Sequence, residues 1–210
     1  MAGVHALVRA VALLACAAVG GCTATTADAT PSPAMPREPA RAPLTDLEQL
    51  LPLMSGLAYT YSVEAEDAAD DWLAQAVPEP GSRASLRLPG GTRHFEFVAD
   101  GVRLLLPEGP VYVLKLPLAV GNRWRGARGS TVEIVGVEES VDVPAGHFGR
   151  CLRTLEVRGG DMPLRVATSY CPNVGIVLLD AASGQQVERG MLRSFGPPVD
   201  LGPDGVRRLP

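Results

Sequence analysis

Lysine is almost missing from this chain: Lys115 stands alone against eighteen arginines. The arginines are scattered and balanced by acids, and the formal net charge is −4. Nucleic-acid binding needs a clustered positive surface, so no nucleic-acid partner is expected. With abundant Ala, Gly and Pro, the bias against Lys reads as the codon usage of a GC-rich genome. Histidine is as scarce. Beyond His5 only His94 and His147 remain, which leaves little material for imidazole metal sites or for a nucleophile with a base. Long apolar runs are missing too. The run Ala10–Val19 is ten residues, against the ~20 that a membrane-spanning helix needs. Gly-x-Ser-x-Gly, His-Glu-x-x-His and a phosphate-cradling Gly-rich loop between strand and helix are all absent. These gaps argue against an enzyme and predict no metal and no cofactor.

What is present begins with an export signal. A short basic start, the run Ala10–Val19 and the small residues Gly20-Gly21 precede Cys22. That is the layout of a secretory signal peptide over residues 1–21. A Cys after small residues resembles the lipobox of bacterial lipoproteins. In that family the Cys is acylated and becomes the first mature residue, which assigns lipidation to Cys22. An ordinary secretory cut near Ala24 is the alternative. Cys16 in Leu13-Leu14-Ala15-Cys16 is a rival lipobox, but it leaves a core of only six residues. Two or more acyl chains anchor stably, because each buried methylene contributes ~0.8 kcal/mol. The expected partner is therefore a membrane, held through lipid rather than crossed. Thr23, where Asp would favour inner-membrane retention in the best-known sorting system, points to the outer membrane.

Residues 22–43 are rich in Pro, Ala and Thr, with no apolar periodicity. They read as a solvated tether that reaches roughly 60 Å when fully extended as polyproline. The globular domain is expected over residues 44–197, with a flexible tail at 198–210.

Within that domain a segment recurs. Leu116–Trp124 reads LPLAVGNRW, and Leu51–Tyr59 reads LPLMSGLAY. Leu, Pro, Leu and Gly match, and an aromatic stands three after each Gly. Thr45–Met54 predicts at most two helical turns, because Pro52 interrupts it. Glu64–Asp71 reads as a solvated acidic loop, with a Ca²⁺ loop as the rival, and Trp72–Ala76 as one helical turn. From Arg83 the period is two, broken by Pro89-Gly90-Gly91, Asp100-Gly101, Val143-Pro144-Ala145-Gly146 and Gly159-Gly160. The last pair of strands reads as Val174–Leu179 and Gln186–Phe195, joined by a polar loop at Asp180–Gly184. The pattern predicts an all-β, mostly antiparallel fold: a curled sheet, sandwich or half-barrel of about nine to ten short strands in two related halves.

A hairpin centred on Asp161 places Cys151 directly opposite Cys171. Cross-strand spacing there suits a disulfide, and so does an oxidising compartment. His147 lies four residues from Cys151. On a strand that separation is ~13 Å, too far for proton transfer, so both mature histidines read as surface or turn residues. The turn and core positions are Pro117, Gly121, Trp124, Pro144, Gly146 and Phe148, with Tyr59 and Tyr170 as further core aromatics.

Three segments occur in order: Leu-Pro-Leu-x-x-Gly-x-x-Trp (116–124), Val-Pro-Ala-Gly-x-Phe (143–148) and Tyr-Cys-Pro-Asn-Val-Gly-Ile-Val (170–177). Together they resemble a family of bacterial envelope lipoproteins with a β-rich domain. The chain departs from it at His147, where a small hydroxyl residue is commoner, and at Arg125-Gly126, where an aromatic is often found. The resemblance implies an antiparallel β fold and no catalytic residue. The expected role is a membrane-anchored binding or structural domain, with an envelope protein as a possible partner. The alternatives are a carrier of an apolar ligand and a hydrolase with an unrecognised site.

Overall fold

Chain reversal at short turns builds nearly all of this domain. The computed structural model describes residues 46–65, 68–160 and 163–198. The signal segment, Cys22, the tether and the tail from residue 199 lie outside the described residues. A short helix α1 (Asp46–Leu50) and a 3₁₀ turn (Leu53–Ser55) lead into twelve strands. They are β1 (Ala58–Ala65), β2 (Ala68–Pro78), β3 (Arg83–Leu88), β4 (Gly91–Val98), β5 (Gly101–Leu106) and β6 (Gly109–Lys115). Then come β7 (Arg123–Arg125), β8 (Thr131–Val143), β9 (Gly146–Arg158), β10 (Leu164–Cys171), β11 (Gly175–Ser183) and β12 (Gln186–Gly196).

All twelve belong to one antiparallel sheet, ordered β6-β5-β4-β3-β2-β1-β12-β11-β10-β9-β8-β7. Every neighbour is also a neighbour in sequence except β1 and β12, whose pairing curls the sheet round on itself. The result is a nearly closed barrel with one seam, between β6 and β7. Full closure removes edges that would otherwise pair with other chains. Here only the two seam strands keep one, and Pro110 on β6 suits an edge because it has no N–H to leave unpaired.

The strand count exceeds the nine to ten expected from sequence, and the sheet curls past a half-barrel. One missed strand is β2. Its inward residues Ala74 and Ala76 are fully enclosed, at 0% and 1% exposure, while Leu73 points outward at 62%. An inward row of alanines beside an outward leucine hides the alternation that marks a strand. Of the acidic stretch 64–71, residues 64–65 thus end β1 and residues 68–71 begin β2, where a loop was expected. Asp71 lies on the outer wall, its two oxygens accepting from Arg193 Nη1 at 2.9 and 2.7 Å. Likewise Asp180–Ser183 belongs to β11, where Asp180 opposes Arg189 across the pair.

The inward faces make the core: Tyr59, Phe95, Val102, Leu114, Trp124, Ile134, Leu152, Tyr170 and Leu192 are all buried. Tyr59 and Tyr61 stack inside, with ring centroids 6.3 Å apart. Among the described residues no helix is long and apolar enough to cross a membrane.

Because strands alternate in direction, the connections alternate between two ends. The near end is where the chain arrives through α1. It also holds the Asp100–Gly101 turn, the 116–122 connection, the 143–146 turn and the 171–175 turn. Two backbone bonds tie these together, Leu116 N–H to Asp100 O at 2.9 Å and Asn173 N–H to Gln49 O at 2.7 Å. The 79–82 turn between β2 and β3 lies at this end as well, and the far end holds the remaining turns.

Candidate functional site

The repeated segment sits at the near end in both copies, each at the head of six strands. In the second copy Leu116–Pro117 is a cis peptide bond, and Gly121 takes φ +88°. In the first copy Gly56 takes φ +70°. A glycine tolerates that left-handed conformation without the clash a side chain would bring. Asn122 fastens the second loop, its Nδ2 donating to the carbonyls of Lys115 and Pro117, each at 2.8 Å. Gly121 N–H and Asn122 O pair with Ile134 at 2.8 and 3.0 Å. Each copy delivers its aromatic inward, Tyr59 at 3% exposure and Trp124 at 7%. Trp124 does more than fill space: its Nε1–H donates 2.9 Å to the Tyr112 carbonyl on β6, across the seam.

The other sequence-derived positions fall at the same end. Pro144 and Gly146 turn the long β8–β9 hairpin. Ala145 N–H donates 2.9 Å to Leu192 O on β12, and Phe148 meets Phe195 with centroids 6.2 Å apart. The hairpin can reach that far because its register slips three times between Ile134 and Val141, and such bulges bend a ladder. Cys151 and Cys171 form a disulfide with Cα atoms 4.2 Å apart. The β9–β10 register is the one expected, with Leu152 opposite Tyr170.

Neither mature histidine faces the interior. His94 Nδ1 contacts Glu79 Oε1 at 3.0 Å, and His147 Nδ1 contacts Asp142 Oδ1 at 2.8 Å, both on exposed side chains. The described residues hold no group of three or more His, Cys, Asp or Glu side chains placed for a metal. The outer wall carries a charged ladder over β3, β4 and β5, where Glu96 lies between Arg103 and Arg83. Hydrogen bonds from Arg103, then Arg83, hold its carboxyl below the usual carboxylate range.

The arrangement with chemical potential lies inside, at the far half of the seam. Strand β7 stops after three residues, whereas β6 runs for seven. The chain leaves β7 through Gly126 and a 3₁₀ turn, Ala127–Gly129. Behind this gap is a cavity of about 100 Å³. Leu104, Val111 and Val132 give its lining apolar groups, and Thr154, Glu156, Thr168 and Tyr170 give it polar ones. Burial pushes the Tyr170 phenol up to about 12, the hydroxyls of Thr154 and Thr168 acting the other way. Ser130 is buried, and its hydroxyl contacts both the Ala127 carbonyl, at 2.8 Å, and the Glu156 carboxylate. A hydroxyl has one proton, so Ser130 serves one of those acceptors at a time.

Gly126 shapes this wall. A Cβ there would meet the Ser130 hydroxyl, Val132 Cγ2 at 2.9 Å and Glu156 Oε1 at 3.1 Å. Gly126, singled out in the sequence with Arg125, therefore falls on the cavity. Sequence reasoning missed Gly126, Ser130, Thr154, Glu156 and Thr168 as a group. The readable signal was polar residues at inward positions: Thr154 and Glu156 share a face with core Leu152.

No family model matches the chain, and no curated protein matches it. Two solved structures are similar. One is a protein from Bacteroides fragilis, provisionally assigned as exported and as having a YmcC-like fold. It is 13% identical, with 67% of this chain and 95% of that one covered, and a TM-score of 0.45. The other, provisionally assigned as a lipoprotein, comes from Parabacteroides distasonis. It is 12% identical, with coverage of 72% and 100%, and a TM-score of 0.45. Likeness of this degree transfers no activity.

Proposed function

We propose that this chain is an envelope lipoprotein, held to a membrane by acyl groups on Cys22, whose barrel is a non-enzymatic binding domain. The observation that carries the binding role is the cavity beside Glu156. Ligand sites are concave and mostly apolar, with a few convergent polar groups, and this cavity has that make-up. The Cys151–Cys171 disulfide supports an exported chain, because such bonds persist in oxidising compartments. A binding rather than catalytic role fits the surroundings of Ser130 and Glu156, since both mature histidines are engaged on the outer surface. A lipid carrier fits less well, because a long acyl chain exceeds a cavity of about 100 Å³ with a polar wall. Thr23 favours the outer membrane.

Metabolic labelling with tritiated palmitate tests the anchor. The wild-type chain should take up label and sediment with membranes. Cys22→Ser should lose the label and appear in the soluble or unprocessed fraction. Equal labelling of both would refute Cys22 as the lipidated residue.

A further inference from the structure

We infer that the seam cavity takes a small organic cation, a primary ammonium on a short apolar body; this rests on the binding role proposed above. Glu156 is an interior carboxylate on β9, half-buried at the cavity wall. Its hydrogen bond comes from Ser130. Among the described residues no Arg, Lys or His pairs with it. A carboxylate drawn into a barrel without a counter-charge is costly, and a partner cation relieves that cost.

The remaining walls match the rest of such a ligand. An ammonium has three N–H donors and no acceptor. Glu156 offers oxygens, and the hydroxyls of Thr154 and Thr168 offer acceptor lone pairs on the same side. Leu104, Val111 and Val132 present only methyl and methylene groups, Val132 standing beside Glu156 across the β8–β9 pair. A site of this make-up takes an amphiphilic molecule with its ammonium at Glu156 and its apolar body against these side chains. The volume of about 100 Å³ suits a compact molecule and excludes a sugar dimer or an acyl chain. Gly126 leaves the carboxylate reachable, since any side chain there would press on Ser130, Val132 and Glu156. An anion is disfavoured by Glu156 itself. A neutral alcohol would satisfy the hydroxyls but leave the carboxylate charge unmatched.

The test is a backbone-amide NMR titration of the full chain in detergent with n-propylammonium chloride. 1-Propanol and sodium propionate serve as controls at equal ionic strength. Propylammonium should give saturable shifts at Ala127, Ser130 and Glu156, while propionate gives none. Glu156→Gln keeps the shape and should weaken propylammonium at least ~10-fold, the scale of losing a charged hydrogen-bond partner. Ser130→Ala should weaken it less and gives a second reading if Glu156→Gln folds poorly. Propanol binding as tightly as propylammonium, with Glu156→Gln unaffected, would overturn the ammonium assignment and leave the cavity a binding site. Failure of all three probes to saturate would overturn the binding role as well.

Discussion

Gly126 and Trp124 act at the same seam by opposite means, one by having no side chain and one by having the largest. Gly126 has φ −91°, which any residue adopts, so its requirement is space and not backbone freedom. Gly126→Ala should therefore cost ~1–3 kcal/mol by overpacking and narrow the cavity. Urea unfolding reads the cost, and an unchanged midpoint would show that Ser130 and Glu156 yield freely. Trp124→Ala removes a buried ring and the bond to Tyr112 O together, and should cost ~3–5 kcal/mol. Trp124→Phe keeps most of the area but strands that carbonyl, for ~1–3 kcal/mol. If phenylalanine proved as damaging as alanine, ring shape rather than the indole N–H would be what bridges the seam.

Individual strands and hairpins depend on how the near end is fastened. The β9–β10 pair is joined by the disulfide, which closes a loop with a sequence separation of 20. Replacing both cysteines with serine should cost ~3 kcal/mol by loop-closure entropy, measured as a lower denaturant midpoint. A midpoint equal to that of oxidised wild type would mean the ladder already fixes the pair. This bond was legible in the sequence because Gly159-Gly160-Asp161 set the register of the hairpin around it. Turns written in Gly and Pro were legible for the same reason: they fix backbone angles locally. Strand β2 was not. Its enclosed positions carry alanines, small enough to fit a crowded wall yet ordinary in a helix, so tertiary packing outweighed local propensity. The end of β11 was hidden by polar Asp180 and Ser183, which face a charged partner strand rather than solvent alone. The cavity was harder still. Its lining runs from Leu104 to Tyr170, 66 residues apart, and only curling of the sheet brings β5 and β6 near β9 and β10.

Across the whole barrel the tyrosines give a collective signature. All four, Tyr59, Tyr61, Tyr112 and Tyr170, are shifted upward. Burial drives Tyr59 and Tyr170 to about 12 and raises Tyr61 further. Tyr61 also donates 2.8 Å to the Ile176 carbonyl. For Tyr112 the hydrogen bond to Asp100 is the largest cause. A phenol harder to ionise when folded stabilises the fold fully below its unfolded value, here 10.0. That contribution drains away as pH rises through 10 toward 12. Absorbance at 295 nm should show Tyr59, Tyr61 and Tyr170 ionising together in one steep rise as the barrel opens, and not near 10. Ionisation of three tyrosines near 10 with the fold intact would contradict the buried placement of Tyr59, Tyr61 and Tyr170.

The arrangement of the two ends follows from the meander. The repeated loops and the disulfide gather at the near end, while the cavity lies in the far half of the barrel. The central claim is that this cavity holds a small molecule in the living envelope. It is tested most directly by placing a photoactivatable diazirine amino acid at Val111 on the cavity wall, and at Val187 on the outer wall as control. Irradiation of intact cells, followed by mass spectrometry of the labelled peptide, reads what each position touches. The account predicts a discrete small-molecule adduct at Val111 and only water adducts at Val187. Water adducts alone at both positions would contradict it.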